Sequence, residues 1–363
     1  MKILYITTIG GTMNFFRELI KKLIEDGHKV DIACNNTGLG VSDFFKELGC
    51  NVHNLSVSRS PLNMGNLRAI SEIKKIVEGN DYDIVHCHTP VAAACTRLAC
   101  RTLRKKGVKV FYTAHGFHFY DGAPLKNWLI YYPVEKLCAY FTDVLVTINQ
   151  EDYNRAKKKL KAKKVAYVPG VGVDIDKFNI PQFDKNKKRQ ELGIPANAML
   201  LFSVGELNEN KNHETIIRAI SDMPVYYMIA GTGEKKEALL QIAESLGISD
   251  RVKLLGFRKD MGELYGVADV FVFPSFREGL SVSLMEAMAS GLPCAVSKIR
   301  GNVDLIDESG GVYFNPHSLE DCKVALEKLL SSNLRELGEK NKGNVKKFSL
   351  EKVTNQMFSL YEL

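Results

Sequence analysis

The chain of 363 residues lacks any apolar run that approaches the roughly 18 consecutive residues required by a membrane-spanning helix. We therefore expect no transmembrane segment. The opening stretch, MKILYITTIGG, has one lysine and a short apolar run, and it continues directly into a strand–glycine–helix pattern. This pattern predicts the first strand of a domain rather than a secretory signal peptide.

Cysteine pairs with the spacing of metal or redox sites are also missing. No two of the eight cysteines form a CxxC motif; they are Cys34, Cys50, Cys87, Cys95, Cys100, Cys138, Cys294 and Cys322. Most of them lie in apolar strand or helix contexts, and no export signal precedes them. The pattern predicts reduced, buried thiols, without disulfides and without a structural metal site.

Acidic residues are scarce in the first half of the chain. Residues 1–170 contain 25 Lys and Arg against 15 Asp and Glu, whereas residues 171–363 contain 24 against 27. The basic runs Arg97–Lys109 and Arg155–Lys164 are either solvated helix faces or a surface for an anionic partner, such as a phosphorylated ligand or a membrane. Aromatic residues do not alternate with these cations, so we expect no nucleic-acid partner.

Short apolar strands alternate with helical patterns in both halves of the chain. Examples are Lys2–Ile6 (KILYI) and Val144–Ile148 (VLVTI) in the first half, and Met199–Val204 (MLLFSV) and Val270–Phe273 (VFVF) in the second. This alternation predicts parallel sheets with right-handed crossovers, and strands that are covered on both faces. The fold class is therefore α/β, with one architecture used twice.

The alternation breaks once, and the break divides the chain. Residues 173–196 are rich in Pro, Gly, Asp and Lys and are interpreted as a linker between domains at 1–172 and 197–346. In open parallel sheets, ligands bind beyond the carboxyl ends of the strands. We expect the site at those ends, in a cleft between the two domains.

The strongest local signal is the segment 274–293, PSFREGLSVSLMEAMASGLP, which follows a predicted strand and opens a helix. The first helical turn is predicted to consist of Gly279, Leu280, Ser281 and Val282. Its free backbone N–H groups suit a phosphate group. Glu278 precedes this turn and Glu286 follows eight residues later. Their carboxylates cannot bind a phosphate, but they can accept hydrogen bonds from the hydroxyls of a sugar and a ribose.

This arrangement resembles the E-x7-E signature of the retaining glycosyltransferases of family 4, with Glu278 and Glu286 on the two glutamate positions. The resemblance implies the GT-B architecture, in which two Rossmann-like domains face each other across a cleft. It also implies that a C-terminal helix, at about 347–363, packs back on the first domain. The stretches TAHGFHFYDG and VGELNENKNH are similar to those of bacterial capsule and exopolysaccharide transferases.

The loop Val204–Lys211 (VGELNENK) resembles the family's G-R-L-x-x-x-K loop, whose Arg and Lys bind the donor diphosphate. Lys211 matches, but Glu206 stands in place of the arginine. A unit charge a few ångströms away contributes on the order of 1–4 kcal/mol near a surface, so a glutamate here would repel the diphosphate. We expect that Glu206 turns to a ribose or sugar hydroxyl, or that Arg277 or Arg300 supplies the missing cation.

Two features of the first half resemble family motifs. Gly10 and Gly11, directly after the first strand, are similar to the glycine loop that faces the donor phosphates and the acceptor, with Thr12 beside them. His115, in the sequence TAHGFH, matches a histidine that reaches the donor sugar. A neutral imidazole donates from one nitrogen and accepts on the other, which suits a sugar hydroxyl.

Weaker candidates complete the predicted site. His118 and Asn149 are candidates for the acceptor side. His86 and His88 have the i, i+2 spacing of a metal pair, but no further ligand set is apparent, so we interpret them as structural. The turn Gly231–Glu234 (GTGE) resembles one near the nucleotide in the family, and it reads equally well as a plain strand–helix turn.

The resemblance implies transfer of a sugar, with retention, from a nucleotide-sugar, a UDP-sugar first, to a lipid-linked or oligosaccharide acceptor. The leading acceptor is a polyprenyl-diphosphate-linked glycan of surface-polysaccharide assembly (capsule, exopolysaccharide or O-antigen). His115, Lys211 and Glu278 would be catalytic. The donor site would comprise Gly10, Gly11, Glu206, Lys211, Glu278, Gly279, Leu280, Ser281, Val282 and Glu286.

No cofactor is expected, because Lys211 would neutralise the diphosphate in place of a metal ion. The basic first half suggests a cytoplasmic protein on the inner face of an anionic membrane. Two alternatives remain: a nucleotide-sugar epimerase, which shares the architecture but lacks the 274–293 pattern, and a non-catalytic sugar-nucleotide-binding subunit, to which Glu206 lends support.

Overall fold

The computed structural model describes residues 1–38, 40–178 and 183–362. The chain divides into two compact units of similar size. The first comprises Met1–Val171 together with the chain from Val353 onward, and the second comprises Gly172–Lys352.

The first unit is built on a parallel sheet of seven strands in the order β3-β2-β1-β4-β5-β6-β7. The strands are β1 (Lys2–Ile9), β2 (Lys29–Asn35), β3 (Val52–Asn54), β4 (Ile84–His88), β5 (Lys109–Ala114), β6 (Val144–Thr147) and β7 (Lys164–Tyr167). The central strands are almost wholly buried, as their continuous apolar sequences predict.

Helices cover both faces of this sheet. They are α1 (Arg17–Glu25), α2 (Asp43–Glu47), α3 (Gly65–Glu78), α4 (Pro90–Cys100), α5 (Leu125–Ala139) and α6 (Gln150–Lys159). One apolar core lies between the sheet and α3, α4 and α5, and a second lies on the opposite face, against α1. Residues near the C-terminal end of the chain, including Met357 and Tyr361, also pack into this second core.

The second unit repeats the plan with six parallel strands in the order β10-β9-β8-β11-β12-β13. They are β8 (Met199–Val204), β9 (Val225–Ala230), β10 (Val252–Leu254), β11 (Val270–Phe273), β12 (Cys294–Ser297) and β13 (Gly311–Phe314). Its helices are α7 (Lys185–Glu191), α8 (His213–Ala219), α9 (Lys236–Ser245), α10 (Met261–Val267), α11 (Val282–Ala289), α12 (Asn302–Leu305), α13 (Leu319–Leu330) and α14 (Leu334–Asn344). The last helix, α15 (Leu350–Tyr361), joins the first unit from Val353.

The predicted α/β class with two Rossmann-like sheets is confirmed, but several elements differ from the prediction. The sequence pattern missed β13, because the strand has only four residues and begins with the second of two consecutive glycines. A helix, α7, forms inside the stretch predicted to be a linker. Asp184 caps its start, and the buried Arg189 anchors it by donating to the carbonyl of Val267 and the carboxylate of Asp269.

Each sheet reverses its direction of growth at one point, between β1 and β4 in the first unit and between β8 and β11 in the second. At such a point the loops from adjacent strands leave in opposite directions and open a crevice at the carboxyl end of the sheet. The loops after these strands contain the glycine pair and the segments 205–211 and 274–281, and His88 is the last residue of β4. Each sheet therefore brings its predicted motifs to the edge where open α/β sheets bind ligands.

All eight cysteines are free and buried, as the sequence predicts for reduced thiols. The basic runs are only partly solvated faces. Arg97 is fully buried, and Arg104 and Arg155 form ion pairs with Asp143 and Asp121. In the described ranges, no helix is long and apolar enough to cross a membrane.

Candidate functional site

The central contact of the second unit joins Lys211 to Glu278. The Lys211 ammonium lies 2.7 Å from Glu278 Oε1, and both side chains are largely buried. Lys211 also lies over the ring of Phe273, 4.8 Å from its centroid. Two residues 67 positions apart in the sequence thus meet where β8 and β11 end. A cation and a carboxylate thus lie side by side at this end of the sheet.

Backbone contacts fix the two loops that carry this pair. The Asn210 side chain donates to the Arg277 carbonyl, and the Phe276 N–H donates to the Asn210 carbonyl. Asn208 caps the short 3₁₀ turn that ends at Lys211. These hydrogen bonds fix the backbone at Lys211 relative to the segment around Glu278. The backbone, and not only the two side chains, therefore positions the ion pair.

The helix after Glu278 begins later than predicted. Its first residue is Val282, and Ser281 is the N-cap, whose Oγ accepts from the Leu284 N–H at 3.3 Å. Gly279 and Leu280 therefore precede the helix and do not form its first turn, which corrects the prediction. The serine takes the capping position because a short hydroxyl side chain satisfies an unpaired N–H of the first turn. The remaining free amides of that turn still favour an anion.

Glu286 lies about one turn into this helix and is largely buried. Tyr265 donates from its phenol to Glu286 Oε2 at 2.9 Å and also contacts the Ser283 carbonyl. Burial raises the pKa of Glu286 to about 7, although the Tyr265 hydrogen bond and Lys177 act in the opposite direction. The carboxyl group is thus poised between its neutral and ionised forms near neutral pH.

Glu206, the residue that replaces the family arginine, is exposed, and its Oε2 accepts from the Asn208 amide at 2.9 Å. No hydrogen bond or ion pair joins the Glu206 carboxylate to Lys211. Of the two candidate replacement cations, Arg277 is exposed, whereas Arg300 is buried and its Nε donates to the Glu278 carbonyl at 3.2 Å. The structure therefore brings Arg300, rather than Arg277, against the segment that carries Glu278.

The glycines of the GTGE turn allow segments of the second unit to pack closely against each other. A Cβ added to Gly231 would lie 1.8 Å from the Gly205 carbonyl oxygen, and one on Gly233 would lie 2.3 Å from that of Leu207. Backbone hydrogen bonds join the same segments, from Leu207 to Thr232 and from Lys235 to Leu207. These contacts agree with the interpretation of GTGE as a strand–helix turn.

In the first unit, the glycine loop after β1 folds into a 3₁₀ turn from Gly10 to Phe16. Gly10 is buried, and a Cβ there would lie 2.5 Å from backbone atoms of Gly40 and Val41. Its small size thus allows the loop at Gly40 and Val41 to approach closely. Gly11 and Thr12 are half-buried beside it.

His115 pairs with a second histidine, with His88 Nδ1 3.1 Å from His115 Nε2. Burial lowers the pKa of His115 to about 4 and also lowers that of His88, so both rings are neutral at pH 7. One ring must then donate to the other. His88 Nε2 is buried without a partner, and a bare acceptor there is less costly than an orphaned N–H, so His88 donates from Nδ1. His115 consequently keeps its proton on Nδ1.

A second chain of hydrogen bonds joins His86 to Thr113 on one side and, through Tyr361, to Tyr5 on the other. His86 Nδ1 contacts the Tyr361 hydroxyl at 2.6 Å and His86 Nε2 contacts Thr113 at 2.8 Å, while the Tyr5 and Tyr361 hydroxyls meet at 2.5 Å. The interpretation of His86 and His88 as structural residues agrees with these protein partners. Within the described ranges, no group of His, Cys, Asp and Glu side chains could hold a metal ion.

The remaining acceptor-side candidates lie in different environments. Asn149 is fully buried and caps α6: its oxygen accepts from the Asp152 N–H, and its amide donates to the Asp152 carboxylate. Both ends of the Asn149 side chain are therefore used within the protein. His118 is half-buried and stacks on Tyr131, with ring centroids 4.4 Å apart.

Sequence reasoning missed Tyr265, and it assigned no site role to His88 or Thr89. Thr89 adopts φ +65°, which is unusual for a β-branched residue, and its hydroxyl contacts Thr8 Oγ1 at 2.7 Å. Strained conformations of this kind cluster at functional sites. The only sequence signal was the position of Thr89 directly after β4, where it precedes Pro90.

Comparisons with known proteins agree with this geometry. Residues 2–149 match the family model described as glycosyl transferase 4-like, and residues 184–348 match that of glycosyl transferases group 1. A putative glycosyltransferase, EpsD, of Bacillus subtilis is 35% identical over 344 residues, which cover 88% of this chain and 90% of that protein. The UDP-Gal:alpha-D-GlcNAc-diphosphoundecaprenol alpha-1,3-galactosyltransferase of Escherichia coli is 29% identical over 310 residues, covering 81% and 79%.

Solved structures show the same fold. The crystal structure of Anabaena Alr3699/HepE in complex with UDP and glucose superposes with a TM-score of 0.82 at 19% identity, with both chains fully covered. WaaG, a glycosyltransferase involved in lipopolysaccharide biosynthesis, superposes with a TM-score of 0.77 at 18% identity, with 99% of each chain covered. With two family models matched in succession and a 35%-identical relative aligned over most of its length, this chain belongs to the family 4 glycosyltransferases of the GT-B fold.

Proposed function

We propose that this glycosyltransferase transfers a sugar from a nucleotide-sugar, a UDP-sugar first, to a polyprenyl-diphosphate-linked glycan in surface-polysaccharide assembly, with retention at the anomeric carbon. The observation that carries the proposal is the Lys211–Glu278 pair, 2.7 Å apart at the carboxyl ends of β8 and β11. A cation for a diphosphate and a carboxylate for hydroxyls stand together there, and the start of α11 follows.

Charge on the departing diphosphate is the main demand of this reaction. Lys211 and the first-turn amides of α11 would hold the diphosphate, and Arg300 would supply the second cation that Glu206 cannot supply. Fixed cations of this kind also make a metal ion unnecessary. Chelation with EDTA should therefore leave the rate unchanged, and loss of activity that Mg²⁺ or Mn²⁺ restores would contradict this part of the proposal.

Transfer would occur on one face of the sugar. The bond from the anomeric carbon to the diphosphate breaks, the acceptor oxygen bonds to the same face, and the departing diphosphate oxygen takes the acceptor proton. The protein then supplies positioning and charge stabilisation rather than a strong base. Glu278 would hold sugar hydroxyls and Glu286 the ribose hydroxyls. His115, neutral and with its proton on Nδ1, would donate to a hydroxyl of the sugar or the acceptor.

The lipid-linked acceptor and the location at the inner face of the membrane are supported by the basic first half of the chain and by a relative. The name of the E. coli enzyme, which is 29% identical, gives a diphosphoundecaprenol-linked acceptor. Residues 1–170 carry 25 basic against 15 acidic residues, which suits an anionic surface.

A thermal-shift panel of UDP-, GDP- and dTDP-sugars tests the donor, because a ligand that binds only the folded state raises the melting temperature. We expect UDP-sugars to give the largest shift, and a panel without any shift would refute the proposal.

The selected donor is then incubated with and without a polyprenyl-diphosphate-linked acceptor. Conversion of the donor sugar without acceptor would reveal an epimerase, and the anomeric configuration of the product tests retention.

A further inference from the structure

The helix α5 presents an apolar face that no part of the described chain covers. Its exposed positions all lie on one half of the helix: Leu125, Lys126, Leu129, Ile130, Pro133, Val134, Lys136 and Leu137, followed by Tyr140 just beyond its end. The side chains of Leu125 and Leu129 are 72% and 69% exposed. Surface leucines that stand alone need no explanation, but a contiguous apolar face of this kind marks an interaction site.

The inner half of α5 is firmly held. Arg97 of α4 is fully buried and donates to Glu135 Oε2 at 2.8 Å, and the Tyr112 hydroxyl donates to Glu135 Oε1. The aromatic residues Trp128 and Tyr132 pack against Phe119 on the same side. Since these contacts anchor the inner face, the aliphatic residues outside cannot turn inward by rotating the helix, and they remain a fixed surface.

Cations flank the exposed face of α5 on two sides. The run Arg101–Lys106 lies at its C-terminal end, where Arg104 donates to the Tyr140 carbonyl at 2.8 Å. Beside its N-terminal half, a groove of about 560 Å³ is lined by Trp128 and Tyr132 and by the basic residues Arg155, Lys158 and Lys159. Asp121 and Glu151 in this groove are ion-paired with Arg155, whereas Lys158 and Lys159 are exposed.

We propose that the exposed face of α5 is a docking surface for an anionic lipid bilayer, which the helix contacts lying flat. The helix cannot span, because its 15 residues measure only about 22 Å against about 30 Å of hydrocarbon. Its leucines would enter the interfacial layer, while Lys126, Lys136 and the flanking cations reach the lipid phosphates. The proposal rests on the proposed function only for the lipid nature of the acceptor.

The charges on the face favour a bilayer over a second copy of the chain. The face contains Lys126 and Lys136 and no carboxylate. Around the helix, Lys126 lies near the middle of the exposed half, between Pro133 and Leu137. In a two-fold contact its ammonium would be buried without an acidic partner, which is costly. At a bilayer, the long lysine side chain extends to the phosphate layer while its methylene groups stay among the apolar residues.

The single tryptophan of the chain, Trp128, packs on the inner side of α5, so the reporter is a full-length variant with Trp128→Phe and Leu129→Trp, which moves the one tryptophan to the exposed face. Vesicles of phosphatidylcholine mixed with phosphatidylglycerol, with and without brominated acyl chains, are added to this variant and to the wild type without donor or acceptor. We expect both proteins to bind less as salt rises, and the brominated lipid to quench the tryptophan of the variant. Binding without quenching in the variant would overturn the proposal, as would equal binding to pure phosphatidylcholine.

Substitution of Leu129→Ser with Ile130→Ser tests the apolar face itself. The partition coefficient should fall at least about tenfold, which corresponds to about 1.4 kcal/mol. The matched control is Leu319→Ser with Val324→Ser, which changes a similarly exposed apolar pair on α13 of the second unit and should leave binding intact. An equal loss in both variants, or none in the α5 variant, would refute the proposal, provided that circular dichroism shows both to be folded.

Two further measurements separate the possible failures. Light scattering determines whether the wild type is a dimer that the α5 variant splits; that result would assign the face to a second copy and overturn the bilayer proposal. Transfer to a short-chain, water-soluble acceptor should be the same for wild type and α5 variant. Absence of transfer in the wild type would instead contradict the proposed function and leave the vesicle result to stand alone.

Discussion

Tyr265 provides a sharp test of the role of Glu286, because its phenol is the hydrogen-bond donor beneath a carboxylate that would bind ribose hydroxyls. Tyr265→Phe removes the 2.9 Å hydrogen bond to Glu286 Oε2 and leaves the ring in place. The ring packs against Phe202 and Phe271, so the apolar contacts remain. The change therefore acts on the orientation and charge of one carboxyl group.

The expected loss follows from that hydrogen bond. A hydrogen bond to an ionised group contributes about 1.5–3 kcal/mol, and a loss at the lower end weakens binding about tenfold. The Tyr265 hydrogen bond also lowers the pKa of Glu286, which burial raises to about 7. Without the phenol, we expect the pKa to rise further, so that less of the carboxyl group is ionised at pH 7.

The assay compares a UDP-sugar with its 2′,3′-dideoxyribose analogue by calorimetry from pH 6 to 9. The wild type should bind the UDP-sugar more tightly as pH rises through about 7, where Glu286 ionises and becomes a better acceptor. Tyr265→Phe should shift this midpoint upward and weaken the UDP-sugar about tenfold, with little effect on the dideoxy analogue. Glu286→Gln should abolish the pH dependence.

Tyr227→Phe is the matched control, since this buried tyrosine contacts Ser203 and His213 and has no contact with Glu286. It should leave the midpoint unchanged. If Tyr265→Phe weakened both ligands equally and left the midpoint unchanged, Tyr265 would serve packing alone. Linkage adds a stability signature: the folded pKa exceeds the unfolded one, so the free energy of unfolding contributed by Glu286 falls as pH rises from about 4.5 to 7.

Three further predictions concern the cation, a buried ion pair and the histidines. Lys211→Ala should reduce kcat about 100-fold or more while circular dichroism shows an intact fold, whereas Lys235→Ala, which removes a half-exposed lysine paired with Glu209, should retain activity; equal effects would refute the diphosphate role. Glu135→Ala should lower the free energy of unfolding by about 3–5 kcal/mol in urea titrations, because it leaves Arg97 buried without its partner, and a loss under 1 kcal/mol would contradict this. Because the folded pKa values of the neutral His86 and His115 lie near 3–4, below the unfolded value of 6.5, the stability of Glu286→Gln, which lacks the opposing contribution of that carboxyl group, should fall in urea melts as pH drops from 6.5 towards 4; a flat profile of this variant would refute the burial of the histidines.

Local patterns carried much of the fold and part of the site. Apolar runs such as Val270–Phe273 predicted buried parallel strands because such strands are covered on both faces, and the structure agrees. Lys211 and Glu278 were found because each belongs to a motif that occupies one short loop. The start of α11 was misplaced by three residues, since glycine, leucine and serine are all compatible with a first helical turn and only the Ser281 cap decides among them.

Contacts between distant residues account for what the sequence could not show. Tyr265 and Glu286 are 21 positions apart and belong to different helices, so no periodicity links them. The reason for Gly10 lies in the Gly40–Val41 backbone that packs against it, and the position of Arg300 depends on the Glu278 carbonyl. In each case the partners are distant in the sequence, and only the folded crossover connections bring them together.

The helix α5 shows most clearly what the sequence determined and what the tertiary structure decided. Its sequence predicts a helix, but apolar residues occur on every side of it, among Lys126, Asn127, Glu135 and Lys136, so no single face is marked as the buried one. Only the tertiary structure decided which half is buried: the Arg97–Glu135 pair and the aromatic residues hold one face, and the aliphatic residues are left outside. A helix that is apolar all round carries no local preference for either face, so the partner that covers each face must come from packing.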